Sequence, residues 1–153
     1  MDTQPQDSFF RCGHKFSESM RPWKDIVREI RKVVDYLNDF EWECVGTIAD
    51  LHRDIEANPK RLPTCVGVYK ITNEDRDYIG RALRQGGLRR RIKEHLKNSN
   101  AIWNDPESQD AFKVKIIRME NKDEIEARLL ARITESSLIE IEKPILNRNG
   151  KRG

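Results

Sequence analysis

The stretch from Gly67 to Ala82, GVYKITNEDRDYIGRA, decides how the rest of the chain is read. Two apolar-aromatic runs, Cys65 to Ile71 and Asp77 to Ala82, flank the polar turn Thr72 to Arg76, which is the pattern of a β-hairpin. With Asn73-Glu74 as a two-residue loop, Tyr69 falls directly opposite Tyr78 and both phenols stand on one face. Other even-length loops keep that parity. Cross-strand aromatic pairs stabilise hairpins by roughly 0.2–1 kcal/mol, so packing alone accounts for two tyrosines at these positions.

Downstream, Gly86-Gly87 breaks the chain and Leu88, Ile92 and Leu96 recur at helical spacing to about Asn98. A polar loop around Trp103 covers residues 99 to 110. From Phe112, FKVKIIRM reads as a third strand, and Asn121-Lys122-Asp123 turns it into a helix from about Glu124 to Glu142, followed by KPILNRNGKRG. Upstream, Ile26, Val27, Ile30, Val33, Val34, Leu37 and Phe40 recur at three and four. They predict an amphipathic helix from Trp23 to about Trp42, with Pro22 placed to open it. Thr47 and Asp50 form a capping box for a second helix carrying Ile48, Leu51 and Ile55, which Asn58-Pro59 stops. The fold class is α+β, with a β-β-α-β-α order from residue 64 to 147 behind a helical arm. The expected divisions are a flexible N-terminus over 1–20, the helical arm over 21–61 and one globular domain over 62–153.

The chain has 153 residues, of which 37% are hydrophobic, enough for one core of ordinary size. The net charge is only +3, but the distribution is uneven. Between Arg81 and Lys97, seven basic residues stand against Glu94 alone, a composition that suits a polyanionic partner. Cys12, Cys44 and Cys65 are odd in number and lack CxxC spacing, which fits reduced thiols in an intracellular, by default cytoplasmic, protein. Cys12 and His14 in FFRCGHKF find no second ligand pair at zinc-site spacing. No apolar run approaches the length of a membrane span, and the amino terminus is not that of a signal peptide.

Arg91 and His95 lie four apart and share a helix face, on a helix that also carries Arg89, Arg90 and Lys93. Such a cluster is either a solvated surface or a phosphate-binding one. Glu135 has Ala131, Leu138 and Ile139 as helical neighbours, so its carboxylate projects from a strip that should pack on the sheet. A buried carboxylate needs a cation, either a metal or an arginine of the preceding helix. Pro144 and Asn147 in KPILN read as a helix stop and a loop residue that satisfies backbone groups.

In this order and spacing the chain resembles the GIY-YIG nuclease family. Gly67-Val68-Tyr69 stands for GIY, Tyr78-Ile79-Gly80 for YIG, and Gly87 through His95 for the arginine and histidine helix. Glu135-Ser136-Ser137-Leu138-Ile139 matches the metal-binding glutamate motif and Lys143-Pro144-Ile145-Leu146-Asn147 the closing asparagine motif. The match covers roughly residues 64 to 148. The resemblance implies a three-stranded antiparallel sheet flanked by helices and metal-dependent cleavage of DNA phosphodiesters. It implies catalytic roles for Tyr69, Tyr78, Arg91, His95, Glu135 and Asn147, with Glu135 binding one Mg²⁺ or Mn²⁺ per active site. DNA, double-stranded, is the expected partner, with contacts from Arg81, Arg84, Arg89, Arg90, Lys93 and Lys97. Within the family the chain is most like the small type II restriction enzymes, which read palindromes most simply as homodimers on DNA. Alternatives are a structure-selective repair or recombination nuclease, and a non-cleaving nucleic-acid-binding module on the same fold.

Overall fold

The computed structural model describes residues 16–120 and 122–147. Cys12, His14 and most of the segment expected to be flexible lie outside the described residues, as does the tail after Asn147. In chain order the elements are α1 (Phe16–Asp39), β1 (Glu43–Thr47), α2 (Ile48–Asp54), β2 (Gly67–Thr72), β3 (Asp77–Ala82), α3 (Gly87–Lys97), β4 (Lys113–Arg118) and α4 (Glu124–Glu142). Short 3₁₀ turns occur at Pro59–Arg61, Ile102–Asn104 and Ile145–Asn147. No helix among them is long and apolar enough to cross a membrane.

The α1 helix falls in one unit and the residues from Phe40 onward form another. Helix α1 begins earlier than expected, so residues 16–20 are helical and Pro22 lies inside the helix rather than at its start. Proline there forfeits one backbone hydrogen bond without ending the helix. Of its apolar strip, Trp23, Ile26, Val27 and Ile30 stand about half exposed.

The second unit is α+β, and its sheet has four antiparallel strands in the order β1-β4-β2-β3. The expected sheet of three strands is thereby corrected: the fourth, β1, comes from residues assigned to the helical arm. It is short and bulged, with Val45 unpaired between Cys44↔Lys115 and Gly46↔Val114, so its local pattern does not alternate. Distant partners hold it in place. Arg118 binds Glu43 through two nitrogens at 2.8 and 2.9 Å, and Arg61 Nε donates to the Val45 carbonyl at 2.8 Å. The strand runs straight into α2, whose capping box between Thr47 and Asp50 is present as expected.

The hairpin differs by two residues of register. Thr72 pairs with Asp77, not Asp75, so Tyr69 faces Gly80, and Tyr78 faces Ile71. Asn73 causes the longer loop: its side-chain oxygen accepts from the backbone N–H of Asp75 at 2.9 Å and of Arg76 at 2.7 Å, closing a four-residue turn. The Thr72 hydroxyl bonds the Asp77 carboxylate at its base. Parity survives, and both phenols remain on one face, their rings 6.3 Å apart.

On that face Tyr69, Ile71, Tyr78, Val114 and Ile116 pack with Leu88, Ile92 and Leu96 of α3, Ile48 and Leu51 of α2, and Trp103. Val68, Ile79 and Ile117 alternate to the other face and are buried too, where Ala127, Leu130, Ala131 and Leu138 form the inner side of α4. The sheet is thus covered on both faces, while β3 is an edge strand. The Asn147 amide covers part of that edge. It accepts from the Ile79 N–H and donates to the Ile79 carbonyl, both at 2.8 Å, as a neighbouring strand would.

Candidate active site

The site forms where Tyr69 crosses the edge strand. Its partner across the ladder is Gly80, and a Cβ at that position would fall inside the radius of the Tyr69 hydroxyl. The glycine lets a tyrosine from an inner strand lay its ring over β3 and reach the open edge. Arg81, next along β3, alternates to the other face. There its guanidinium meets Glu135 of α4 at 2.6 Å. Side chains from the two faces of the sheet therefore meet at one edge.

Helix α3 brings the third group. Its start is fixed by the backbone ahead of β2: Leu88 N–H donates to the Cys65 carbonyl at 3.0 Å and Arg89 N–H to the Pro63 carbonyl at 2.9 Å. Gly87, at φ 54°, is required there, because a side chain would strike the Thr64 and Cys65 carbonyls. So anchored, α3 aims His95 into the core and Arg91 at the cleft. His95 Nε2 lies 2.6 Å from the Tyr69 hydroxyl, and a neutral imidazole protonated at Nδ1 accepts the phenol's hydrogen there. Rings of Tyr78 and Trp103 flank the imidazole at 5.2 and 5.4 Å. Asn104 Nδ2 and Trp103 Nε1 both donate to the His95 carbonyl, at 2.8 and 3.3 Å.

Burial controls the protonation of this pair. Desolvation is the largest influence on Tyr69 and, with Tyr78 adding to it, holds the phenol well above its ordinary value, while Arg91 pulls the other way. Desolvation, reinforced by the Arg91 charge, depresses His95 to about 4. At neutral pH the pair is a phenol against an uncharged imidazole. The depressed value is also a statement about stability. An unfolded His95 titrates near 6.5, so between about 4 and 6.5 the unfolded chain binds the extra proton and the fold loses stability as pH falls. The loss is on the order of 3 kcal/mol, complete near pH 4 and absent above 6.5. We expect His95→Gln to flatten that part of the pH–stability curve relative to wild type, as measured by denaturant midpoints from pH 4 to 7. Parallel curves would show that His95 is not the group responsible.

Around these residues lies a cleft of about 470 Å³ lined by Tyr69, Tyr78 and six arginines: Arg81, Arg84, Arg90, Arg91, Arg128 and Arg132. Glu94 and Glu135 are its acids. Arg91 binds Glu94 at 2.5 Å, and Arg90 approaches the same carboxylate at 3.5 Å. Arg84 and Arg132 are exposed and make no ion pair among the described residues. Such a surface suits a chain of phosphates, and arginine offers each of them a bidentate fork.

Of the expected site residues, the structure brings Tyr69, Tyr78, Arg81, Arg84, Arg90, Arg91 and Glu135 to this cleft, with His95 directly behind Tyr69. Asn147 braces β3 and is not among the lining residues. Three of the expected DNA contacts are used elsewhere or face away: Arg89 donates to the Leu62 carbonyl, Lys93 pairs with Glu56 at 2.7 Å, and Lys97 is exposed away from the lining. Arg128 and Arg132 are additions. They precede Glu135 by seven and three residues on α4, a spacing that could have shown one shared helix face. Glu135 is ion-paired with Arg81 of the hairpin, whereas the sequence offered an arginine of the preceding helix.

Among the described residues no three His, Cys, Asp or Glu side chains gather into a metal cage. The chemistry present fits a divalent ion of the magnesium type held by Glu135, with Glu94 engaged by Arg90 and Arg91, and water and substrate oxygens completing the shell. No protein-family model matches the chain, and no curated protein or solved structure matches it either.

Proposed function

We propose that the chain is a divalent-metal-dependent endonuclease that hydrolyses DNA phosphodiesters, with an active site of the GIY-YIG type. One observation carries the reading: the Tyr69–His95 couple, Arg91 and Glu135 converge on a cleft otherwise lined by arginines. Hydrolysis requires a water to lose a proton as it attacks, and in this reading Tyr69 takes it. A phenol held well above its ordinary value is a poor base alone, but it can take the water's proton while passing its own to His95 Nε2. Keeping the imidazole uncharged leaves that nitrogen free to receive it. Arg91, on release from Glu94, holds the scissile phosphate and offsets the charge that grows there. A divalent ion held by Glu135 would supply Lewis acidity to the phosphate and leaving oxygen. Tyr78 packs against the couple, and Asn147 keeps β3 in register beneath it.

Type II restriction is the biological role we favour, with a second copy engaging through the apolar strip of α1 on a palindromic duplex. Repair or recombination nucleases would use the same chemistry. A non-cleaving binding module is the second reading that an observation favours, because Arg81 already neutralises Glu135.

Incubating the protein with plasmid and with single-stranded DNA, with and without Mg²⁺, tests the proposal. Mg²⁺-dependent ends support it; discrete fragments favour restriction and smears a structure-selective nuclease. Uncut DNA in a retained complex would establish the binding module instead. Within this reading Arg91→Ala should slow single-turnover cleavage by about 100-fold. Arg132→Ala should mainly weaken binding and lower its salt slope by about one. Equal small effects from both would reduce the cleft to a diffuse phosphate-binding surface.

A further inference from the structure

We propose that Arg81 is a latch displaced by the divalent ion. In the free protein its guanidinium occupies the Glu135 carboxylate; when an ion takes that carboxylate, Arg81 passes to an oxygen of the bound phosphodiester. The inference rests on the nuclease reading of the cleft.

Three features lead to it. Arg81 Nη1 lies 2.6 Å from Glu135 Oε1, and the glutamate side chain is 2% exposed against 32% for the arginine. A carboxylate so deep requires a cation, and Arg81 reaches it from the cleft. Second, both the present partner of Arg81 and the proposed one lie along the same cleft, so the exchange needs side-chain rotation and no movement of β3. Third, Arg84 and Arg132 line the cleft without an ion pair among the described residues, so they can draw in the phosphates before Arg81 is released. A metal ion and a guanidinium share one carboxylate only against their mutual repulsion. An incoming phosphodiester supplies the second anion and relieves it. Ion and DNA then bind with positive coupling, and by linkage each raises the affinity of the other equally.

Two measurements on the full chain test this. In Mn²⁺ titrations followed by electron paramagnetic resonance, without DNA, Arg81→Met should bind the ion about tenfold or more tightly than wild type. The added substitution Glu135→Gln should remove that gain. In fluorescence anisotropy with a 30-base-pair duplex in EDTA, Arg81→Met should bind only about twofold more weakly than wild type, the effect of losing one cleft charge but no phosphate contact. In Ca²⁺ wild type should bind at least about fivefold more tightly, because only then does Arg81 reach phosphate. Equal Mn²⁺ affinities, or a DNA-binding defect of the same size in EDTA and Ca²⁺, would overturn the latch. Should Arg81→Met fail to fold, the wild-type Arg81 guanidinium resonance, assigned with Arg81→Lys, serves instead. It must shift when Mg²⁺ is added to the free protein, and an unmoved signal refutes the exchange. The two readings fail separately. A protein that cuts DNA while Mn²⁺ affinity ignores Arg81 loses the latch alone. A protein that gains Mn²⁺ affinity as Arg81→Met but never cuts loses the nuclease reading, and the transfer to phosphate with it.

Discussion

Glu135→Gln should abolish DNA cleavage, by on the order of 1,000-fold or more, and leave DNA binding unchanged or tighter. A carboxylate that holds a metal against a phosphate contributes several kcal/mol of charge stabilisation in the transition state, and each 1.36 kcal/mol is tenfold in rate. Glutamine keeps the shape and an acceptor oxygen for Arg81 but not the charge. Loss of a negative charge beside the phosphates favours binding. The fold should survive, because the partner left behind is not sealed in: a third of the Arg81 side chain is exposed and water can solvate it. The loss of stability should therefore fall below the 3–5 kcal/mol typical of breaking a fully buried pair. Single-turnover cleavage, anisotropy and thermal melting on the same preparation separate these effects. A folded variant that cuts at the wild-type rate would remove Glu135 from the chemistry.

How far this site could be read from sequence follows from which contacts are local. Strand β3 and helix α4 have the expected bounds, because turn residues and periodicity mark their ends within a few positions. Strand β1 has no such local mark: its bulge breaks alternation, and Arg118, which holds it, is 75 residues away. The same distinction applies in the site. The two phenols share a face whatever the even length of the loop, so parity was legible. Asn73 sets the register, and the register gives Tyr69 a glycine to cross rather than another tyrosine to face. The charge run from Arg81 to Lys97 suggested a polyanionic partner but did not separate the cleft residues Arg90 and Arg91 from Arg89 and Lys93, which turn to Leu62 and Glu56. The Arg81–Glu135 pair joins elements 54 residues apart on the side of the sheet away from the phenols, where neither local motif points.

Tyr69→Phe is the variant that tests the Tyr69–His95 couple most directly, and we expect cleavage to fall by on the order of 1,000-fold. The substitution removes only the oxygen through which a proton can pass from water to His95 Nε2, and general-base catalysis contributes about 100- to 10,000-fold. Packing is preserved, since the ring is fully buried and remains. The deleted hydroxyl leaves the imidazole without its 2.6 Å partner, a cost of about 1–2 kcal/mol that melting can detect. Gly80→Ala is the companion, since it retains the hydroxyl but moves it. The added methyl group collides with the Tyr69 hydroxyl, so the ring must leave the edge or the strands must part. Displacement of a catalytic group by about 1 Å costs roughly 100-fold, with about 1–3 kcal/mol of overpacking in addition. Both variants should bind duplex DNA as wild type does, because neither alters an arginine of the cleft. If Tyr69→Phe cleaves within threefold of wild type while Gly80→Ala does not, the tyrosine acts as a spacer beneath the substrate. The proton must then leave the water by a path that avoids His95.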